Sequence, residues 1–143
     1  MKLILFNNLK VVGIFIASLF ILLIFMFIMY GLTETQLVSH RVYDVVIFLV
    51  SIGLLVLHFF LGKRLLSNSG NKVIDLLSFV LIIIIAAIYI QRTPSGIISN
   101  HYSVFSFHYE FLRPFFDYSI VRIGVGVLLS CIAQYLGMLS KIR

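Results

Sequence analysis

Five polar side chains within or beside long apolar stretches of this 143-residue chain are the first candidates for chemistry. They are His58, Asp75, Arg122, Ser130 and Gln134. A polar group is costly to place in lipid, so each is a candidate functional site. His58 and Asp75 could form the carboxylate–imidazole hydrogen bond that proton relays use. Alternatively, these groups hold helices together by hydrogen bonds, which is a common use of polar side chains in membranes.

Asp75 and Arg122 lie close to the ends of their apolar stretches, so simpler interpretations also apply to them. Asp75 could reach the lipid headgroups. Arg122 could extend along its helix towards water, or it could pair with Asp44 or Asp117. At Arg122 we expect a structural ion pair rather than substrate binding.

Four apolar stretches predict the transmembrane helices that would position these side chains. A helix needs about 20 residues to cross about 30 Å of hydrocarbon, and long apolar stretches without alternation are not barrel strands. Hydrophobic residues make up 62% of the chain and charged residues 11%, against about 45–50% and about 25% in soluble domains. We therefore predict an all-α membrane protein, a four-helix bundle forming one integral membrane domain over 1–143. The predicted helices cover 11–30, 45–61, 73–90 and 120–139.

The uneven distribution of Lys and Arg predicts the orientation. If the N-terminus is cytoplasmic, seven of the 11 basic residues fall on the cytoplasmic side, including every lysine. The positive-inside rule therefore predicts that both termini are cytoplasmic. The composition, rich in Ile, Lys, Asn and Phe, favours a bacterial plasma membrane. The net charge of +6 is not gathered in one patch, which argues against nucleic-acid binding.

The long outer connection between the third and fourth helices, 91–119, is rich in aromatic residues. Such a segment would not stay free in water, and it predicts a re-entrant or interfacial segment that caps the bundle. Its aromatics fit both strand and helix spacing. We favour an interfacial helix that ends at Pro114, because the residue before a proline is pushed out of helical geometry. The partner-contact candidates are Tyr102, Phe105, Phe107, Tyr109, Phe111, Phe115 and Phe116.

Small residues at helical spacing predict two packing seams. One lies on the fourth helix and the other, formed by Gly13 and Ala17, lies on the first. Small side chains let helix backbones approach closely in lipid. The pattern agrees equally with packing inside one chain and with homodimerisation. The seam on the fourth helix consists of Gly126, Ser130, Ala133 and Gly137.

Several chemistries have no supporting pattern in the sequence. The single cysteine, Cys131, excludes an intrachain disulfide and redox catalysis by paired cysteines. The spacing of His40, His101 and His108 matches no established metal-ligand motif. Ser-His-Asp arrangements, phosphate-binding glycine loops and His-Glu-x-x-His motifs have no support either. We therefore expect no metal, no cofactor and no enzymatic activity.

Two functions remain after these exclusions. The first is an accessory or immunity-type subunit that acts by association with another membrane protein or a second copy, with 102–118 as its contact surface. The second is a small oligomeric transporter with a polar path near His58, Asp75, Gln134 and Arg122. Transport requires polar groups along the membrane depth, and the predicted helices have an apolar middle. The sequence therefore favours association.

Overall fold

Four membrane-spanning helical segments make up the protein in this computed structural model, which describes residues 1–92 and 104–142. Each is long and apolar enough to cross a membrane. No strand occurs in these described ranges, and the predicted all-α four-helix class is confirmed. In chain order the helices are α1 (Lys2–Glu34), α2 (His40–Leu65), α3 (Lys72–Leu77), α4 (Val80–Arg92), α5 (Val104–His108) and α6 (Ser119–Leu139). Short 3-10 helices cover Glu110–Leu112 and Ser140–Ile142.

Both ends of the chain lie beside the loop 66–71, at what we call the terminal end of the bundle. The Lys10 ammonium donates to the Leu65 carbonyl at 2.8 Å, and the Lys141 ammonium donates to the Leu66 carbonyl at 2.7 Å. Four crossings return the chain to the side on which it started. The opposite end, which we call the rim end, carries the α1–α2 turn and the segment 104–118.

The third span is broken between α3 and α4, and two asparagines of α1 compensate for the break. Asn8 donates to the Leu77 carbonyl at 2.9 Å and accepts from the Leu81 amide at 3.0 Å. Asn7 donates to the Ser78 hydroxyl in the break at 3.4 Å, and to the Ser67 carbonyl in the loop 66–71 at 2.8 Å. Backbone groups within a bilayer need an internal partner. Asn8 supplies that partner on both sides of the break, and Asn7 binds the serine within it.

The helices differ in how much apolar surface they expose. On α1 and α4, large side chains such as Phe27 and Ile88 are 82% and 50% exposed. Lipid can cover such surface at no cost, because its tails are as apolar as the side chains. The most extensive contact between helices joins α2 and α6. The polar candidates lie on and around that contact.

Candidate functional site

The segment 104–116 enters the bundle from the rim end and reaches at least halfway through it. The Phe111 amide donates to the Ser51 hydroxyl of α2 at 3.0 Å. The Tyr109 hydroxyl shares a 3.4 Å hydrogen bond with Ser130, which lies about 16 Å along α6 at 1.5 Å per residue. Of the two predicted placements, the structure shows the re-entrant one. It packs among α1, α2 and α6.

The local structure of this segment differs from the predicted interfacial helix. Helix α5 ends at His108, and the backbone leaves helical geometry at Tyr109 with φ −118° and ψ 30°. Pro114 lies in the exposed turn that follows. The prediction that Pro114 ends the helix is wrong, because the chain must turn back inside the bundle before it reaches the proline. Helical rather than strand structure is nevertheless what forms.

Tyr109 fits the bundle only because α6 has a glycine opposite it. The ring lies against Gly126, where a β-carbon would collide with the ring atoms. Tyr109 is 1% exposed. It therefore cannot belong to a surface that a partner contacts, and its predicted role as a contact residue is wrong. The seam residues Gly126 and Ser130 serve packing against the re-entrant segment.

A buried ion pair joins the re-entrant segment to the start of α6. The guanidinium of Arg122, which is 0% exposed, donates to the Glu110 carboxylate at 3.2 Å and to the Ser119 hydroxyl at 2.9 Å. The other carboxylate oxygen of Glu110 accepts from Arg113 at 2.9 Å. Pairing of Arg122 with Asp44 or Asp117, or extension towards water, is therefore not what forms. A structural ion pair forms as expected, but with a different carboxylate.

His58 lies in the interior with a partner on each ring nitrogen. The Ser18 hydroxyl donates to the Phe15 carbonyl at 2.8 Å, so its oxygen is left to accept from His58 Nε2 at 3.1 Å. His58 Nδ1 then accepts from the Gln134 amide at 2.9 Å. This arrangement assigns the neutral Nε2–H tautomer to His58. Three helices, α1, α2 and α6, are joined through one imidazole.

The re-entrant segment adds a second histidine beside the first. The rings of His58 and His108 are 5.8 Å apart between centroids, and His108 is 2% exposed. Within the described ranges, His108 Nδ1 and Gln134 Oε1 have no hydrogen-bond partner. Gln134 Oε1 can therefore accept one further hydrogen bond, and His108 Nδ1 can accept or donate one, depending on its tautomer.

Asp75 lies away from this cluster, at the terminal end. It is 2% exposed, and its carboxylate accepts from the Ser69 amide at 2.9 Å in the loop 66–71. The predicted hydrogen bond between Asp75 and His58 is wrong, because His58 uses both ring nitrogens on Ser18 and Gln134. Asp75 instead fixes the turn between the second and third spans.

The predicted packing seams have different outcomes. On α6, a β-carbon at Gly137 would collide with the Phe59 backbone of α2, and the half-buried Ala133 lies on the neighbouring face. On α1, Gly13 has no atom near the position of a β-carbon, and both Gly13 and Ala17 are exposed. The prediction of an internal seam at Gly13 and Ala17 is wrong, while homodimerisation through them stays a prediction.

The aromatic contact candidates differ in how exposed their side chains are. Phe115 is 75% exposed and Tyr118 is 78% exposed at the rim end. Tyr102 lies outside the described residues. The remaining candidates are half-buried along the re-entrant segment: Phe105, Phe107, Phe111 and Phe116.

The sequence interpretation missed several buried polar and small residues. On α2 these are Ser51 and Gly62, which together with the predicted His58 recur at spacings of seven and four and so share one helix face. A β-carbon at Gly62 would collide with the Gln134 backbone. That spacing could have been used to predict the buried face of α2. No comparable spacing links Glu110 to Arg122, since the pair joins a loop to a helix.

These additions overturn the prediction of an apolar middle. Buried polar side chains occur from the terminal end to the rim end, because the re-entrant segment brings its own into the bundle. From one end to the other they include Asn7, Ser18, His58, Gln134, His108, Ser130, Ser51, Glu110 and Arg122. Among the described residues, no group of three or more His, Cys, Asp or Glu side chains could hold a metal ion. Within the same residues, the interior offers hydrogen bonds and the ion pair of Glu110 with Arg122.

No protein-family model, curated protein or solved structure matches this chain. The geometry of the bundle therefore carries the functional argument by itself.

Proposed function

We propose that the protein is a non-enzymatic accessory or immunity-type subunit that acts by association with another membrane protein through its rim end. The proposal rests on one observation. The re-entrant segment is held by its buried side, and the turn that follows it exposes Phe115 and Tyr118 at 75% and 78%. Large aromatic residues are typical anchors of protein interfaces.

The contacts of the re-entrant segment support association over passage of a solute. Its inner side fills the space between α2 and α6 with Tyr109 and with the ion pair of Glu110 and Arg122. Opening that space would separate the buried pair, whereas association through the exposed turn leaves the pair intact.

We also propose a bacterial plasma membrane with the terminal end in the cytoplasm. Lys10, Lys141 and the pair Lys63 and Arg64 all lie at that end. Short cytoplasmic loops carry an excess of Lys and Arg. The rim end would then face outward, where a partner's extracytoplasmic surface can reach Phe115 and Tyr118.

The association proposal is tested by photo-crosslinking in cells. A photoreactive residue replaces Phe115 or Tyr118, and a control position, Ile132, is 51% exposed on α6. We expect both rim positions, but not Ile132, to crosslink one dominant foreign membrane protein. That protein should also co-purify with the native chain and be lost from Phe115→Ser/Tyr118→Ser at an unchanged membrane level. Crosslinks to this chain alone, or equal capture from Ile132, would contradict the proposal.

A small oligomeric transporter is the second candidate, and the interior supports it. Buried polar side chains follow the bundle from end to end, and His58 and His108 lie together near its middle. Proteoliposomes test this candidate by a pH jump read with an enclosed dye. Proton flux that His58→Ala and Gln134→Ala abolish, at unchanged protein content, would favour transport over association.

A further inference from the structure

A cleft at the rim end lies between the start of α2 and the turn after the re-entrant segment. It consists of two adjoining cavities of about 200 Å³ and about 320 Å³. Asp44, Glu110 and Arg113 line both of them. The cleft therefore combines charges of both signs at one end of a membrane-spanning bundle.

The smaller cavity has the features of a site for an ammonium group. The aromatic residues Tyr43 and Phe107 form part of its wall, together with the acidic residues Asp44 and Glu110. Aromatic faces and carboxylates both attract an ammonium ion. Glu110 is already paired with Arg113 and Arg122. In the described part of the chain Asp44 forms no ion pair, so its charge is available to a ligand.

The rest of the cleft fits the other parts of an amphiphile. Arg113 uses one nitrogen for Glu110 at 2.9 Å, and its side chain is 56% exposed. A guanidinium has five N–H donors, so Arg113 can also bind a phosphate. The larger cavity adds the apolar side chains of Val45 and Phe48. Val45 is 57% exposed, which suits it to contact an acyl chain.

We infer that the rim cleft binds the headgroup of a zwitterionic bilayer phospholipid that carries a primary ammonium. The ammonium lies beside Asp44 between Tyr43 and Phe107, and the phosphate lies on Arg113. The acyl chains begin along the apolar wall of the larger cavity. Charge complementarity selects a zwitterionic over an anionic phospholipid, because the anionic one would leave the Asp44 carboxylate without a counter-charge. A primary ammonium is selected over a quaternary one, because it also donates hydrogen bonds to that carboxylate. The inference does not depend on the proposed association with a partner.

Native mass spectrometry of the full chain in detergent tests the inference. The protein is titrated with phosphatidylethanolamine, phosphatidylcholine or phosphatidylglycerol of identical acyl chains. We expect one phosphatidylethanolamine to bind about tenfold more tightly than either other lipid, since hydrogen bonds to charged groups are worth that factor. Asp44→Asn should remove this preference, and Arg113→Gln should weaken binding of phosphatidylethanolamine. Asp117→Asn is the control, because this acidic residue is exposed outside the cleft.

Each outcome of these titrations either supports or overturns the inference of a phospholipid site. Asp44 is exposed and its replacement removes no ion pair, so a correctly folded Asp44→Asn protein is expected, with an unchanged thermal midpoint as the check. Equal binding of all three lipids would overturn the inference. Retention of the phosphatidylethanolamine preference by Asp44→Asn, or its loss in Asp117→Asn, would overturn it as well.

Discussion

The contact between α2 and α6 and the outward surface of α4 differ in the kinds of side chain that they bury and expose. At the α2–α6 contact, glycines let the backbones touch, and His58 and Gln134 form a hydrogen bond. On α4, Ile82 and Ala86 are buried, while most of its other isoleucines are between 37% and 50% exposed. In this protein the closely packed side is the more polar one.

The difference follows from the membrane as solvent. Lipid tails solvate isoleucine as well as another helix does, so apolar side chains do not decide which helix faces meet. Polar groups and small residues decide which helix faces meet. Polar groups need hydrogen-bond partners, and small residues let the helix backbones approach closely. Substitutions at the α2–α6 contact and around the re-entrant segment should therefore cost far more than substitutions on the lipid-facing surfaces.

The largest effect is expected at the buried ion pair. Glu110→Gln removes the carboxylate that accepts from the buried guanidinium of Arg122, and we expect the free energy of unfolding to fall by about 3–5 kcal/mol. Denaturant titration in mixed micelles measures the change. Arg113→Gln is the matched control, because that exposed partner of Glu110 should matter by at most about 1 kcal/mol. Equal effects of the two variants would contradict the view that the buried pair stabilises the bundle more than the exposed one.

The next effect tests close approach at the helix contact. A β-carbon at Gly137 would collide with the Phe59 backbone, so Gly137→Ala should destabilise the protein by about 1–3 kcal/mol. Gly13→Ala makes the same chemical change on α1, where nothing lies within 4 Å. Its unfolding midpoint should stay at or slightly above that of the native protein. A loss of stability at Gly13 would reveal an interface that the isolated chain does not contain.

A smaller effect is expected from the interior hydrogen bond between Gln134 and His58. Gln134→Leu keeps a side chain of similar volume and removes the amide that donates to His58 Nδ1. Hydrogen bonds between membrane helices average about 0.6 kcal/mol and reach about 1.7 kcal/mol, so we expect a loss within that range. The exposed Leu136, replaced by Ala, serves as the lipid-facing control on α6. A cost above about 3 kcal/mol would show that this one hydrogen bond contributes as much stability as the buried ion pair of Glu110 and Arg122.

The smallest effect on stability is expected at the rim. Phe115 and Tyr118 are exposed, so replacing both with Ala should change the free energy of unfolding by no more than about 0.5 kcal/mol. The same variant should lose its crosslinked partner if the proposed association is correct. Stability is read in micelles and association in cells. An unchanged yield of the crosslinked partner would contradict the proposed contact surface and would leave the description of the fold unchanged.

Much of the site follows from residues that recur along single helices. Arg122, Gly126 and Ser130 share one face of α6, and helical periodicity is visible in a sequence. The partner of Arg122 was not predictable in the same way. Glu110 lies on a connection whose path depends on the shapes of α2 and α6, and the sequence pointed instead to Asp44 and Asp117 as partners.

The apolar stretches of the sequence were enough to predict four helices that cross a membrane, because such stretches in lipid permit little else. Tertiary structure decided what lies between the helices. The glycine at position 126 admits the Tyr109 ring, and the re-entrant segment then delivers Glu110 to Arg122 and His108 to His58. These contacts depend on three-dimensional shape, because lipid accepts apolar surface anywhere while each buried polar group needs one particular partner.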